Sequence, residues 1–113
     1  MKRPAKPSKY HNVRTTVDGI GFASASEARR YSQLKLFAKA GEIVNLRLQP
    51  RYPLKIEGVL ICTYVADFAY DRRQAEGGWR PVIEDVKGVV TDVFRIKRNL
   101  MRVIYGAEIE IVK

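Results

Sequence analysis

Residues that staple small secreted domains and build zinc sites are nearly missing from this chain. It has one cysteine, Cys62, one histidine, His11, and one tryptophan, Trp79, in 113 residues. A single cysteine excludes an intrachain disulfide, and Cys62 with His11 cannot supply the ligands of a zinc cluster, so any metal must be held by oxygen. No apolar run approaches the length of a membrane span or the core of a signal peptide, so the expectation is no membrane association and a cytoplasmic location. Acid is also short: 12 Asp and Glu stand against 21 Lys and Arg, a formal charge of +9. That excess favours a polyanionic partner such as nucleic acid. The length suits one domain with a modest core.

The first nine residues, "MKRPAKPSK", carry four cations and two prolines without a large apolar residue after Met1, and read as a flexible basic arm (1–9) ahead of a single domain (10–113). "VRTTVDGIGFAS" reads as a hairpin turning at Asp18-Gly19. Ser24 followed by Glu27 is a capping-box pattern, and Gly41 is a stop, which predicts a helix over about 25–40. Its apolar arc gathers Ala28, Tyr31, Leu34, Phe37 and Ala38, with Glu27 near the middle. Glu27 either caps the helix or serves a site.

Three strand regions follow: "IVNLRLQPRYPLKI", with alternating stretches broken by Pro50 and Pro53, the long "VLICTYVADFAYD" after a turn at Glu57-Gly58, and "WRPVIEDVKGVV" after the polar linker "RRQAEGG"; Trp79 reads as a packed loop aromatic. Val82, Ile83, Val86 and Val89 read as buried. Asp85 and Lys87 then share one strand face and Glu84 and Val86 the other. Alone, that pattern describes an edge strand with a wet side. A hairpin centred near Glu76 pairs residues whose numbers sum to about 152, setting Asp67 opposite Asp85, Ala69 opposite Ile83 and Val65 opposite Lys87. Opposed carboxylates repel unless a cation or proton lies between them. A second helix runs from an N-cap at Thr91 to a stop at Gly106, with Val93, Phe94, Ile96, Leu100, Met101, Val103 and Ile104 on its apolar arc and Lys97 among them. Arg95, Arg98 and Arg102 form a basic stripe that, read alone, is a solvated face. "AEIEIVK" closes the chain as a strand parallel to "VIEDVKG".

Glu27 on a helix, Asp67 in "YVADFAY", Asp85-Val86-Lys87 in "VIEDVKG", the opening "KYHNVRTTVDGIGFASASEARRY" and "FRIKRNL" in the second helix together resemble the PD-(D/E)XK nuclease superfamily. The nearest likeness is to small phage and prophage endonucleases that include Holliday-junction resolvases, over about residues 9–112. Two departures are Ala66 where proline precedes the first acid, and Glu84 beside Asp85, either of which precedes Val86-Lys87; spacing to Lys87 favours Asp85.

The resemblance implies an α/β fold with a restriction-endonuclease-like core: helix, three strands, helix, strand, a mixed sheet flanked by helices. It also implies a metal-dependent DNA endonuclease, phage-encoded and acting on branched or recombination DNA, with Mg²⁺ or Mn²⁺ held by Asp67, Asp85, the Val86 carbonyl and Glu27. Hard ions take oxygen ligands and can activate water and stabilise the charge of phosphodiester cleavage. Lys87 would orient or deprotonate that water, or else only neutralise Asp85. Gln49 and Glu84 are minor candidates. Lys9, Tyr10, Arg14, Arg30, Lys97 and Arg98 are expected on phosphates, a use that needs only positive charge. Symmetric cutting of two strands suggests a homodimer. The alternatives are a non-catalytic basic DNA-binding protein that keeps the nuclease fold, and an RNA-cutting relative.

Overall fold

A computed structural model describes residues 13–113. The anticipated arm, with Lys9, Tyr10 and His11, lies outside the described residues. The first hairpin joins β1 (Thr15–Val17) to β2 (Ile20–Phe22). Asp18 and Gly19 take φ of 53° and 75° at its two-residue turn, the left-handed geometry that matches strand twist.

Helix α1 (Ala25–Lys39) begins where the capping pattern places it, with Ser24 Oγ accepting from the Glu27 N–H at 3.1 Å. Only Ala28, Tyr31 and Leu34 of its arc are buried, while Phe37 and Ala38 are exposed. The last turns overhang the core they were expected to cover.

The first expected strand region breaks before Pro50 as anticipated but runs unbroken through Pro53, and the second, expected as one long strand, is split in two. β3 (Ile43–Leu48) and β4 (Arg51–Ile56) part at Gln49-Pro50, where Gln49 has φ 50°. β5 (Val59–Val65) and β6 (Phe68–Arg73) part at Ala66-Asp67, and β7 (Trp79–Val86) follows. β4 and β5 form a separate two-stranded ribbon, closed by Glu57 and Gly58 with φ of 50° and 80°. Five strands therefore lie between the helices, not three. β3, β6 and β7, joined after α2 (Asp92–Tyr105) by β8 (Ile109–Val112), make a four-stranded sheet of order β3-β6-β7-β8. β3, β6 and β7 are antiparallel neighbours and β8 is parallel to β7, so the fold is mixed α/β with a mixed sheet and two helices.

The β6–β7 register obeys the expected sum, with Phe68 against Glu84, Ala69 against Ile83 and Tyr70 against Val82. It stops there. Val65 pairs with Arg51 on the ribbon instead of with Lys87, because Ala66 N–H donates to Pro50 O and Gln49 N–H to Asp67 O, which turns the chain off the sheet. β7 is interior, between β6 and β8, so the wet-edge reading of "VIEDVKG" does not hold. Alternation sorts the core into two. Phe22, Ala28, Tyr31, Leu34, Phe68, Tyr70 and Val82 pack on the α1 side, and Leu54, Tyr64, Ala66, Phe94, Met101 and Ile109 on the α2 side.

Helix α2 keeps its predicted ends: Thr91 Oγ1 accepts from Phe94 N–H at 3.2 Å, and Gly106 closes it at φ 64°. Of its arc, Phe94 and Met101 are buried, whereas Val93, Ile96 and Val103 face out, no further layer covering that flank among the described residues. Two other burial expectations fail. Val89 lies past the end of β7 and is exposed, and Trp79 is half exposed, since β8 reaches only Ile83–Val86 and leaves the start of β7 uncovered. Among the described residues no helix is long and apolar enough to cross a membrane.

Candidate active site

The site forms where the β6–β7 ladder ends. Beyond the Phe68–Glu84 pair the next main-chain partner is missing, because β6 has turned away toward the ribbon. A side chain takes its place: Asp67 Oδ2 accepts from the Val86 N–H at 2.7 Å. The parity shared by Asp67, Ala69, Ile83 and Asp85 puts the two aspartates on the same surface of the sheet. Asp67 lies close enough to Asp85 for that neighbour to raise its carboxyl.

Asp85 is 4% exposed. Its Oδ2 accepts a short hydrogen bond from the Tyr64 hydroxyl, and Lys87 Nζ lies 3.6 Å from its Oδ1. Lys87 also sits over the Phe94 ring, 4.5 Å from the centroid, so an aromatic face and a carboxylate hold the ammonium in place. Glu27 approaches from α1 at the same end of β7. Its carboxyl is held above the usual range by partial burial and by the Asp85 charge, against a backbone hydrogen bond from Ala23 and the Lys87 charge.

Asp67 is the most perturbed acid. Burial, the hydrogen bond with Asp85 and the charges of Asp85 and Glu27 push it up to about 8, against the lowering pull of the Val86 N–H. Burial and the Asp85 carboxylate likewise drive the Tyr64 phenol far up, so it stays a donor at any working pH. Acids so crowded favour a proton or a cation between them.

Two openings flank Lys87. A cleft of about 520 Å³ is lined by Ser24, Glu27, Val86, Lys87, Thr91 and Lys113 among others. A hollow of about 220 Å³ on the other side has Tyr64, Asp85, Lys87, Phe94 and Lys97 on its walls. Lys97 therefore lines the same hollow as Asp85 and Lys87. Arg98 is half-buried, with its Nε unpartnered, and Arg14 is exposed immediately before β1. Gln49 is exposed, but its backbone is what ties the Asp67 carbonyl.

Arg30 and Glu84 depart from expectation. Arg30 Nε and Nη2 grip Glu84 at 2.7 and 3.0 Å, so its guanidinium is engaged inside the protein and not presented to phosphate. Glu84 is 0% exposed and also accepts from the Tyr70 hydroxyl at 2.6 Å, on the α1 side, facing away from Asp85. Strand phase thus assigns the site acid to Asp85, and Glu84 to a clamp between α1 and β7. Of the basic stripe, Arg95 pairs with Asp92 and Arg102 with Glu108, which suits a solvated face.

Tyr64 and Tyr70 were missed by sequence reasoning. The available signal was that a tyrosine on the inward face of a strand needs a partner for its hydroxyl, and each has a buried acid within reach. Among the described residues no three acidic, histidine or cysteine side chains close into a ready-made metal cage. An ion here would rest on the Asp67–Asp85 pair, with the Val86 carbonyl and Glu27 at its margin. Hard oxygen donors in a strained acidic pair fit a divalent cation of the Mg²⁺ type.

The chain belongs to the family of proteins of unknown function designated DUF1064, whose model matches residues 7–112. No curated protein and no solved structure matches it.

Proposed function

We propose that the chain is a metal-dependent endonuclease of the PD-(D/E)XK type that hydrolyses DNA phosphodiester bonds, with a restriction-endonuclease-like core. The sheet's own order, helix, three strands, helix, strand, supports that core once the β4–β5 ribbon is set aside as an insertion. One observation carries the reading: Asp67, at the break between β5 and β6, holds the Val86 N–H beside Asp85, whose carboxylate lies 3.6 Å from Lys87 Nζ and close enough to raise the Asp67 carboxyl. A structural role alone gives no reason to bury two repelling carboxylates beside a half-buried lysine.

A bound Mg²⁺ or Mn²⁺ would supply Lewis acidity toward the phosphate and a more acidic water. The remaining work falls to the chain's own groups. Asp67 and Asp85 hold the cation, with one oxygen of each fixed beforehand by the Val86 N–H and the Tyr64 hydroxyl. Lys87 faces both openings, where its ammonium orients the attacking water and meets negative charge growing on the phosphate. Glu27, on the wall of the larger cleft, orients water at its margin. Lys97, Arg14 and the basic residues before 13 attract the phosphate backbone.

Branched recombination DNA, in the host cytoplasm of a phage, is the substrate class that the resemblance suggests. The test is incubation of purified protein with linear, nicked, flapped and four-way DNA, and with matching RNA, in Mg²⁺ or chelator. Cleavage should require the metal and disappear in Asp67→Asn and Lys87→Ala while affinity persists. Survival of every substrate in Mg²⁺, with binding intact, would replace this reading with that of a non-catalytic DNA-binding protein.

A further inference from the structure

We infer that the open end of the β6–β7 hairpin is a stacking platform for an unpaired nucleic-acid base, which lies on Trp79 while Arg73 and Arg80 hold the adjoining phosphates. The inference rests on the nucleic-acid part of the proposed function and not on cleavage. Trp79 is the chain's one tryptophan and the first residue of β7. It is 48% exposed, and everything from Arg73 to Pro81 around it is exposed as well. A lone exposed aromatic is ordinary. Its surroundings are not.

The register sets Arg73 opposite Trp79 and Arg72 opposite Arg80. Like charges placed directly across a ladder weaken it, so stability alone favours opposite signs there. Arg72 is relieved by Glu110, to which it donates at 3.2 and 3.3 Å. Among the described residues Arg73 and Arg80 form no salt bridge. Glu76 is the single acid between Arg72 and Pro81. The hairpin end therefore keeps a cationic excess with an indole in its midst.

An occupant must bring negative charge for the guanidiniums and a flat ring for the indole. Nucleic acid brings both, and stacking on an aromatic side chain accepts any base because each has a π-face. A duplex keeps those faces against neighbouring base pairs, so the indole can meet only a base that is unpaired. The ligand class is thus a single strand, or a branched molecule with an unpaired segment. Position ties this end to the acids: Trp79 and Asp85 have the same strand phase on β7, and six residues at about 3.3 Å each separate them by about 20 Å. That span matches about six nucleotides of a stacked strand, so one chain reaches both places. Asp71 has the same phase on β6 as Arg73, but its carboxylate is engaged by the Asn45 amide at 2.8 Å.

Because the chain has one tryptophan, its fluorescence reports on this place alone. Full-length protein in chelator should lose emission as a thymidine oligonucleotide binds, and keep it when relaxed closed circular duplex or poly-glutamate is added. Trp79→Ala should bind the oligonucleotide about tenfold more weakly and the duplex like the parent, with an unchanged far-ultraviolet spectrum, and Trp79→Phe, which keeps a ring, should recover most of the loss. Arg73→Ala and Arg80→Ala should each reduce the log–log salt slope of oligonucleotide binding by about 0.7. Emission unmoved by bound oligonucleotide, equal quenching by poly-glutamate or by the circular duplex, or single-strand affinity unchanged in Trp79→Ala would each overturn the proposal. Either DNA binding without quenching would refute the platform and leave the nucleic-acid reading in place, whereas failure of both DNAs to bind would refute the two together. Cleavage is not read in any arm, so a silent nuclease assay would leave the result standing.

Discussion

Replacing Asp67 with asparagine removes one charge from the acidic pair but leaves an oxygen to accept from Val86 N–H. The parent carboxyl sits at about 8 when folded and near its ordinary 3.8 when unfolded. Below the lower value both states hold the proton. Between the two the folded state keeps a proton that the unfolded chain has given up, so stability falls as pH rises through this window and levels off above it. At about 1.4 kcal/mol per pH unit, the span from 3.8 to about 8 sets the ceiling on that loss at about 6 kcal/mol, and solvent screening at this half-buried site lowers it to roughly 2. Urea denaturation in chelator, followed by circular dichroism from about pH 4 to pH 9, should therefore find Asp67→Asn close to the parent at the acid end. It should be about 2 kcal/mol more stable at the alkaline end. Adding Mg²⁺ at high pH should stabilise the parent and leave the variant nearly unchanged, because the ion replaces the missing proton. Parallel pH profiles for the two proteins, or equal stabilisation of both by Mg²⁺, would refute the claim that Asp67 and Asp85 form a strained pair awaiting a cation.

Arg30→Ala should cost about 3–5 kcal/mol in the same denaturation assay by stranding the buried Glu84 charge, whereas Arg30→Met with Glu84→Leu should recover most of it. Tyr64→Phe removes the donor to Asp85 and should slow cleavage about tenfold in single-turnover assays without weakening DNA binding, the loss expected of one hydrogen bond that holds a reacting group. Titrations of DNA binding over a range of salt should give a steep negative log–log slope, and Lys97→Ala should reduce that slope by about one.

Most of the chain's local structure was legible because each signal acts within a few residues. Ser24 and Thr91 as caps, Gly106 as a stop and Asp18-Gly19 as a turn all depend on backbone groups a few positions away. The β6–β7 register was legible too, since a short linker and period-two alternation leave few ways to pair two strands. What stayed hidden depends on how much surface each element finds to cover. Phe37, Val93, Ile96 and Val103 sit on apolar arcs that nothing packs against, and periodicity describes a face without saying whether a partner exists for it. The break of one long apolar run at Ala66-Asp67 was hidden for a related reason: the turn is dictated by Gln49 and Pro50, some sixteen residues earlier.

Composition and spacing alone determined that the chain cannot close a disulfide within itself, that Asp85 and Lys87 share a face, and that the molecule is strongly basic. Only the tertiary structure decided which acid joins Asp67. Glu84 and Asp85 are neighbours in the chain, but one faces α1 and finds Arg30, while the other faces α2 and finds Tyr64 and Lys87. The physical reason is that a carboxylate's role follows from the partners that three-dimensional packing brings to it, and these come from segments far apart along the chain.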